Sequence, residues 1–316
     1  MAVTAEEPRV LVVPAGQRSS RDDRLDALPS GPLQLHHRTL DSGLRAWVGE
    51  QTRAELGHVE QLYTFGDQDR APVAHANASR VLSIGYLALV REATDEAGGA
   101  RVPDDAAWRG WYRYFPWEDW RRGQPSVLLL IEKLLRRWVA AAPSRGERAR
   151  RSERLSLAFG FDAGAWSDER VLDRYELLYE AALVPEALRA IGAPGEAQSI
   201  PAEPMAADHR RILATAIARL RGKIKYRPVV FELMPPGFTL LQLQRAVEAL
   251  AGVRLHKQNF RRLVAQQGLV EETGRIVTAT GGRPAREVRF RQEVVLERLA
   301  PGVRLSMPRG QKIAVN

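Results

Sequence analysis

The stretch FTLLQLQRAVEALAGVRLHKQNFRRLVAQQGLVEETGRIVTATGGRPAREVRF, Phe238–Phe290, decides the fold of the C-terminal part of the chain. Thr239 followed three residues later by Gln242 forms a capping box, in which each side chain satisfies an otherwise orphan backbone donor. The helix it opens runs to Leu250 and stops at Gly252. A further helix, His256–Gln267, stops at Gly268, with Phe260, Leu263 and Val264 as its apolar stripe. Two extended stretches, Leu269–Thr278 and Ala285–Arg291, flank the turn Gly281-Gly282-Arg283-Pro284 and read as a hairpin. Upstream, Ala207–Lys223 has helical spacing at Ile212, Leu213, Ala216, Ile217 and Leu220. The apolar segment Pro228–Met234 then ends at Pro235-Pro236-Gly237. Helix, helix, short turn, helix and hairpin is the order of a winged helix-turn-helix.

In that arrangement His256–Gln267 is the recognition helix. Lys257, Gln258, Asn259, Arg261, Arg262 and Gln266 fall largely off its apolar stripe. Arginine can read guanine edges, Gln and Asn can read adenine, and Lys mostly holds phosphate. Arg275 on the hairpin and Arg283 at its tip complete the candidate DNA contacts. A rigid Gly-Gly-Arg-Pro tip suits insertion into a minor groove. A plain helical bundle with a basic face is the bland alternative.

Charge agrees with this reading. The chain has 316 residues and a net charge of +9. Residues 207–316 carry 21 Lys/Arg against 8 Asp/Glu, a net +13, whereas residues 1–206 carry 26 against 30, a net −4. Such asymmetry points to a polyanion-binding C-terminal part on a mildly acidic body. The basic residues do not form one amphipathic helix with an aromatic face, so a membrane surface fits less well. No apolar run is long enough to span a bilayer and the N-terminus lacks a secretory pattern, so a cytoplasmic protein is expected. Zero cysteines exclude a disulfide scaffold, a thiolate nucleophile and a Cys-ligated metal. The six His show no zinc spacing, and neither a nucleophile-elbow motif nor a phosphate loop is present.

The N-terminal half reads as a mixture of strands and helices. Arg9–Val13, Val59–Phe65 and Val81–Val90 read as strands, and residues 15–39 and 93–107 as loops. Leu40–Leu56 reads as a helix capped by Asp41 or Ser42 and stopped by Gly57. Pro125–Ala142 and Asp168–Ile191 read as helices, Ala141–Arg154 as a charged linker and Gly192–Pro204 as a second linker. Seven aromatics crowd residues 108–120: Trp108, Trp111, Tyr112, Tyr114, Phe115, Trp117 and Trp120. They could line a ligand pocket, but packing against neighbouring helices is the favoured reading.

The segments KIKYRPVVFELMP, FTLLQLQRAVEALAGVRLHKQNFRR and TGGRPAREVRF within Lys223–Phe290 closely resemble the winged-helix domain of the Nudix-related transcriptional regulators of NAD metabolism. EQLYTFGDQDRAP at Glu60–Pro72, with the strand after it, resembles the end of that family's Nudix-like domain. The resemblance implies an α+β chain: an N-terminal Nudix-like α/β/α sandwich with a helical insertion, and a C-terminal winged helix-turn-helix. The expected division is 1–142, ligand sensing; 143–206, helical insertion and linker; 207–300, DNA reader; and 301–316, tail. The resemblance further implies a homodimer on a double-stranded DNA operator of NAD-related genes. It implies no cofactor, but a nucleotide effector such as ADP-ribose. Arg70 could meet a ligand phosphate or pair with Asp67 or Asp69. Tyr63 and Phe65 are the candidate ring contacts.

An active Nudix box needs clustered glutamates to hold a divalent metal. Aligning its final glycine on Gly57 leaves Glu55, but puts Glu50, Gln51 and Ala54 where Arg and two glutamates belong. Loss of hydrolysis is expected, so the chain reads as no enzyme, while a cleft can outlive its chemistry. Two other classes compete with this reading. One is a divergent pyrophosphatase carrying an appended nucleic-acid domain, and the other a non-specific RNA or DNA binder.

Overall fold

The computed structural model describes residues 1–3, 6–15, 25–54, 56–57, 59–66, 82–91, 103, 106–162, 165–192, 199–278 and 284–294. The first sheet forms around β2 (Pro8–Pro14), which pairs antiparallel with β1 (Ala2–Val3), β3 (Asp26–Ala27) and β6 (Ala107–Gly110). Val10, Leu11 and Val12 are consecutive and all buried, so both faces of β2 are covered. β4 (Val59–Phe65) and β5 (Ser83–Ala88) form a separate antiparallel pair, with a register shift between Gln61 and Thr64. Ala107, expected at the end of a loop, opens β6 instead.

α1 (Leu40–Thr52) starts on a capping box of Thr39 and Ser42, so Thr39 caps the helix rather than Asp41 or Ser42. It also ends earlier than Gly57. The Thr52 hydroxyl donates back to Val48 O, and Arg53 turns left-handed at φ 56°. Glu55 lies outside the described residues.

Six of the seven aromatics at 108–120 are buried, and only Trp108 stays partly open. Packing is thus their role. α2 (Val127–Ala140) presents Leu128, Ile131, Leu134 and Leu135 to the same core. The expected charged linker after it is in large part α3 (Arg145–Phe159). Ser144 caps it, Glu147 pairs with Arg150 and Arg151 at i+3 and i+4, and Leu155, Ala158 and Phe159 anchor the last turn. The expected helix Asp168–Ile191 is two helices, α4 (Val171–Glu180) and α5 (Pro185–Ala190). Ala182 at φ 54° turns the chain, and Pro185 begins the second helix where a missing N–H costs nothing.

The C-terminal part follows the expected order: α6 (His209–Tyr226), β7 (Phe238–Thr239), α7 (Leu240–Ala251), α8 (Lys257–Gln267), β8 (Val270–Val277) and β9 (Ala285–Phe290). A 3-10 turn, Val229–Leu233, carries the apolar segment before β7. The strand order β7-β9-β8 makes the wing, and Gly252 and Gly268 cap α7 and α8 in left-handed conformations.

α6 joins the two halves. α4 packs along it, and so does α7. Glu118, almost fully buried, accepts from Arg174 Nε at 2.6 Å and Nη2 at 2.8 Å, and from Arg221 Nη1 at 2.7 Å. Arg221 Nε also donates to Leu250 O at the end of α7. The remaining Arg174 nitrogen donates to Ala158 O and Ser167 O. One carboxylate thus ties the aromatic segment to α4, α6 and α7. Burial of such ions is tolerable because the charges are paired and nearly every proton is used. A second knot joins Arg210 of α6 to Glu186 of α5 and to Tyr114 O. Gly252 sits against this assembly. A Cβ there would lie 2.4 Å from Glu118 O, so the turn before α8 accepts no side chain.

Candidate nucleic-acid interface and ligand cleft

α8 is amphipathic in the way its sequence requires. Phe260 and Val264 are buried and Leu263 half-buried, which fixes the helix on α7. That orientation leaves Lys257, Gln258, Asn259, Arg261, Arg262 and Gln266 exposed. None of these six side chains, nor that of exposed Arg275, bonds to another described residue. The wing differs: Arg286 pairs with Glu272 at 2.7 Å and Arg289 with Glu271 at 2.6 Å. Arg283 lies outside the described residues. The structure therefore brings seven of the eight candidate DNA contacts onto α8 and the adjoining strand.

Glu248 fixes the turn that aims α8. Its buried carboxylate accepts from Leu255 N (2.9 Å), Gln244 Nε2 (2.9 Å) and Arg254 Nη1 (2.7 Å). Gln244 also donates to Leu255 O. Sequence reasoning missed Glu248, although a Glu near the end of an otherwise apolar helix face is the visible signal.

The N-terminal half holds a cleft of ≈ 470 Å³ between the 28–33 loop, α1, the β4–β5 pair and the first turn of α6. That volume is in the range of small-molecule sites. Trp47 of α1 lines it and donates Nε1–H to Pro32 O at 2.8 Å, while Gln51 brackets the backbone of Ser30. These bonds hold the loop against α1. Phe65 lines the cleft. Tyr63 stands edge-on to Phe65 and is exposed outside the described lining. Arg70 lies outside the described residues. Asp208 is the one carboxylate among the described lining residues, and no Lys or Arg is among them. A smaller cavity of ≈ 110 Å³ adjoins, sharing Leu28, Tyr86 and Ile212 with the cleft.

His209, at the start of α6, also lines the cleft. Its Nδ1 accepts the Leu28 N–H at 2.7 Å, so the neutral ring must carry its proton on Nε2. Burial pushes its pKa down to about 4. Among the described residues, no group of three His, Asp or Glu side chains is placed to hold a metal ion. No described helix is long and apolar enough to cross a membrane.

The segment that forms α7, α8 and the wing is similar to a known family. Residues 230–290 match the NrtR DNA-binding winged helix domain. A curated relative, the ADPR responsive transcriptional repressor NtrR of Acinetobacter baylyi, is 44% identical over 86 residues. That stretch covers 27% of this chain and spans about a third (34%) of the relative's length. Two solved structures of Shewanella oneidensis NrtR resemble the whole chain. The complex with a 27mer DNA has a TM-score of 0.52 at 19% identity, covering 93% of this chain and 92% of that one. The second NrtR structure has a TM-score of 0.50 at 19% identity, covering 90% and 88%. At this identity the likeness shows the fold: α+β throughout, with a winged helix at the C-terminal end. It supplies no residue roles.

Proposed function

We propose that this chain is a DNA-binding transcriptional repressor whose N-terminal cleft senses a nucleotide such as ADP-ribose, and that it has no enzymatic role. The carrying observation is α8, on which Lys257, Gln258, Asn259, Arg261, Arg262 and Gln266 are exposed, with no side-chain bond to another described residue, on a helix pinned by Phe260, Val264 and the Glu248 turn. Lys257, Gln258, Asn259, Arg261, Arg262, Gln266 and Arg275 are the proposed contacts to an operator, with Arg283 at the wing tip. The proposal places ligand sensing in 1–142, the helical insertion in 143–206 and the reader in 207–300. A homodimer would present two copies of α8 to a palindrome. Control of NAD-related genes is part of the same reading.

The cleft supports the sensing role through its walls. Phe65 and Trp47 offer ring surfaces to a base. Ala207, Asp208, His209 and Ile212 come from the start of α6, the helix that also packs on α7. A ligand in the cleft therefore touches the scaffold of the DNA reader, which is what linkage between two sites needs.

Selection of bound fragments from sheared genomic DNA, with and without ADP-ribose, tests the proposal. One enriched palindrome whose recovery changes with ADP-ribose is expected. Enrichment of no sequence would overturn specific regulation. Filling the cleft with Ile212→Trp should blunt the ADP-ribose response and leave ligand-free DNA binding intact. Magnesium-dependent AMP release from ADP-ribose should not be detectable; its appearance would favour the pyrophosphatase reading.

A further inference from the structure

A second basic surface stands apart from the reader. Residues 133–154 carry 8 Lys/Arg against 2 Asp/Glu, a net +6, while the rest of residues 1–206 carries 18 against 28, a net −10. Residues 133–154 are thus a net-positive stretch in an otherwise net-negative half. In space that stretch is the helical hairpin of α2 and α3.

α3 is held to the core at one end. α3 contributes no buried residue before Leu155, so only its last turn is anchored in the core. The remainder is held by the Ser144 cap, the Glu147 pairs, and Arg151, which lies 4.2 Å over the Trp138 ring. A helix polar all round over this length has to be stabilised by such pairs. Some of its cations are consumed: Arg136 by Glu132 and Asp162, Arg150 and Arg151 by Glu147, and Arg154 by Glu180. Others are not. Lys133, Arg137 and Arg145 are exposed, with no bond to another described residue, and exposed Arg148 spends one N–H on Ala140 O. Lys133 and Arg137 lie one turn apart on α2, and Arg145 and Arg148 open α3 just across the connecting turn.

The mount is rigid. α3 packs on α4, α4 on α6, and the Glu118 knot locks α4 and α6 to the end of α7. The hairpin is thus connected to α7, the helix that carries α8, through a continuous run of packed elements.

We propose that Lys133, Arg137, Arg145 and Arg148 form a second DNA-backbone contact, which grips phosphates beside the sequence read by α8. Leu129 and Leu157 are the exposed large apolar side chains of the hairpin, fewer than the aromatic and aliphatic cluster at the centre of a protein interface. Phosphate contact needs only unpaired cations. The inference rests on the DNA-binding reading above.

The test uses the full chain and two duplexes carrying the selected site, one with long flanks and one trimmed to the site. Wild type should bind the flanked duplex more tightly, with a steeper salt dependence. Replacing the four residues with Gln should remove that advantage and lower the slope by about 0.9 per lost phosphate contact. Binding to the trimmed duplex should stay unchanged. Replacing the three arginines with Lys should restore the slope, because charge and not shape is at work. Melting temperature should hold in all variants, since none of the four side chains is ion-paired with another described residue. An unchanged slope and flank preference in the Gln variant would overturn the proposal. Dissociation of a dimer by the same variant would overturn it too, marking the hairpin as a subunit contact. If Arg262→Ala also left all binding unchanged, the failure would lie with the DNA-reading proposal itself.

Discussion

α8 and α3 are both short, arginine-bearing, solvent-facing helices, yet the fold treats them differently. α8 buries Phe260 and Val264, one turn apart, so its body is fixed and its polar side chains owe nothing to helix stability. α3 is anchored in its last turn only and spends much of its charge on itself, through Glu147 with Arg150 and Arg151 and through Arg154 with Glu180. Basic composition alone does not distinguish a reading surface from a self-satisfied one. What distinguishes them is whether the cations are engaged, and how firmly the backbone beneath them is held.

The largest expected effect breaks what the two helices share. Glu118→Ala leaves Arg174 and Arg221 buried without their counter-charge and should cost about 3–5 kcal/mol of stability. Denaturant unfolding should show this loss as one cooperative shift. A small change would mean that the knot is not what joins the halves.

Next comes the reading surface. Arg262→Ala or Arg261→Ala should cost ~1–3 kcal/mol in operator binding and relax preference at one position of each half-site. Arg150→Ala on α3, whose pair with Glu147 is exposed, should alter stability by less than about 1 kcal/mol and leave operator preference alone. Equal losses from the two helices would erase the contrast drawn above.

A smaller effect concerns His209, the joint between the 28–33 loop and α6. Its folded pKa of about 4 lies below the usual value of 6.5. The unfolded chain therefore takes up a proton that the folded chain refuses, so stability is full above pH ~6.5 and falls as the pH drops towards 4. Protonation would also aim an Nδ1–H at the Leu28 N–H and push the loop off α6. His209→Gln should flatten thermal stability against pH in this window. An unchanged pH profile would remove His209 from the account.

The smallest effect is Lys257→Ala. It should weaken operator and random DNA alike and lower the salt slope by about one.

Much of the reader was legible because its signals are local. Thr239 with Gln242, Gly252, Gly268 and the Phe260–Val264 spacing each act within a few residues, and the structure places the helices within a residue or two of those signals. α3 was misread because its composition is that of a solvated linker, whereas i,i+3 and i,i+4 pairing makes it a helix. α4 and α5 were merged because Ala182 carries no sign of its left-handed turn, although Pro185 does mark a boundary. α1 ends early where Arg53 turns left-handed, a backbone choice no periodicity reveals. The cleft was mostly invisible in the sequence. Gly31, Trp47, Phe65 and His209 come from four separate stretches, and only tertiary packing brings them together. Phe65 was reached through its resemblance to a family motif, not through its surroundings.

The most direct test of the central claim is selection of a binding site from random duplexes by the full chain and by a variant carrying Arg261→Ala and Arg262→Ala. The account predicts one palindrome for the native chain, and for the variant weaker enrichment with preference lost at matching positions of the two half-sites. Recovery of the same palindrome at the same strength by the variant would contradict the assignment of α8 as the element that reads DNA.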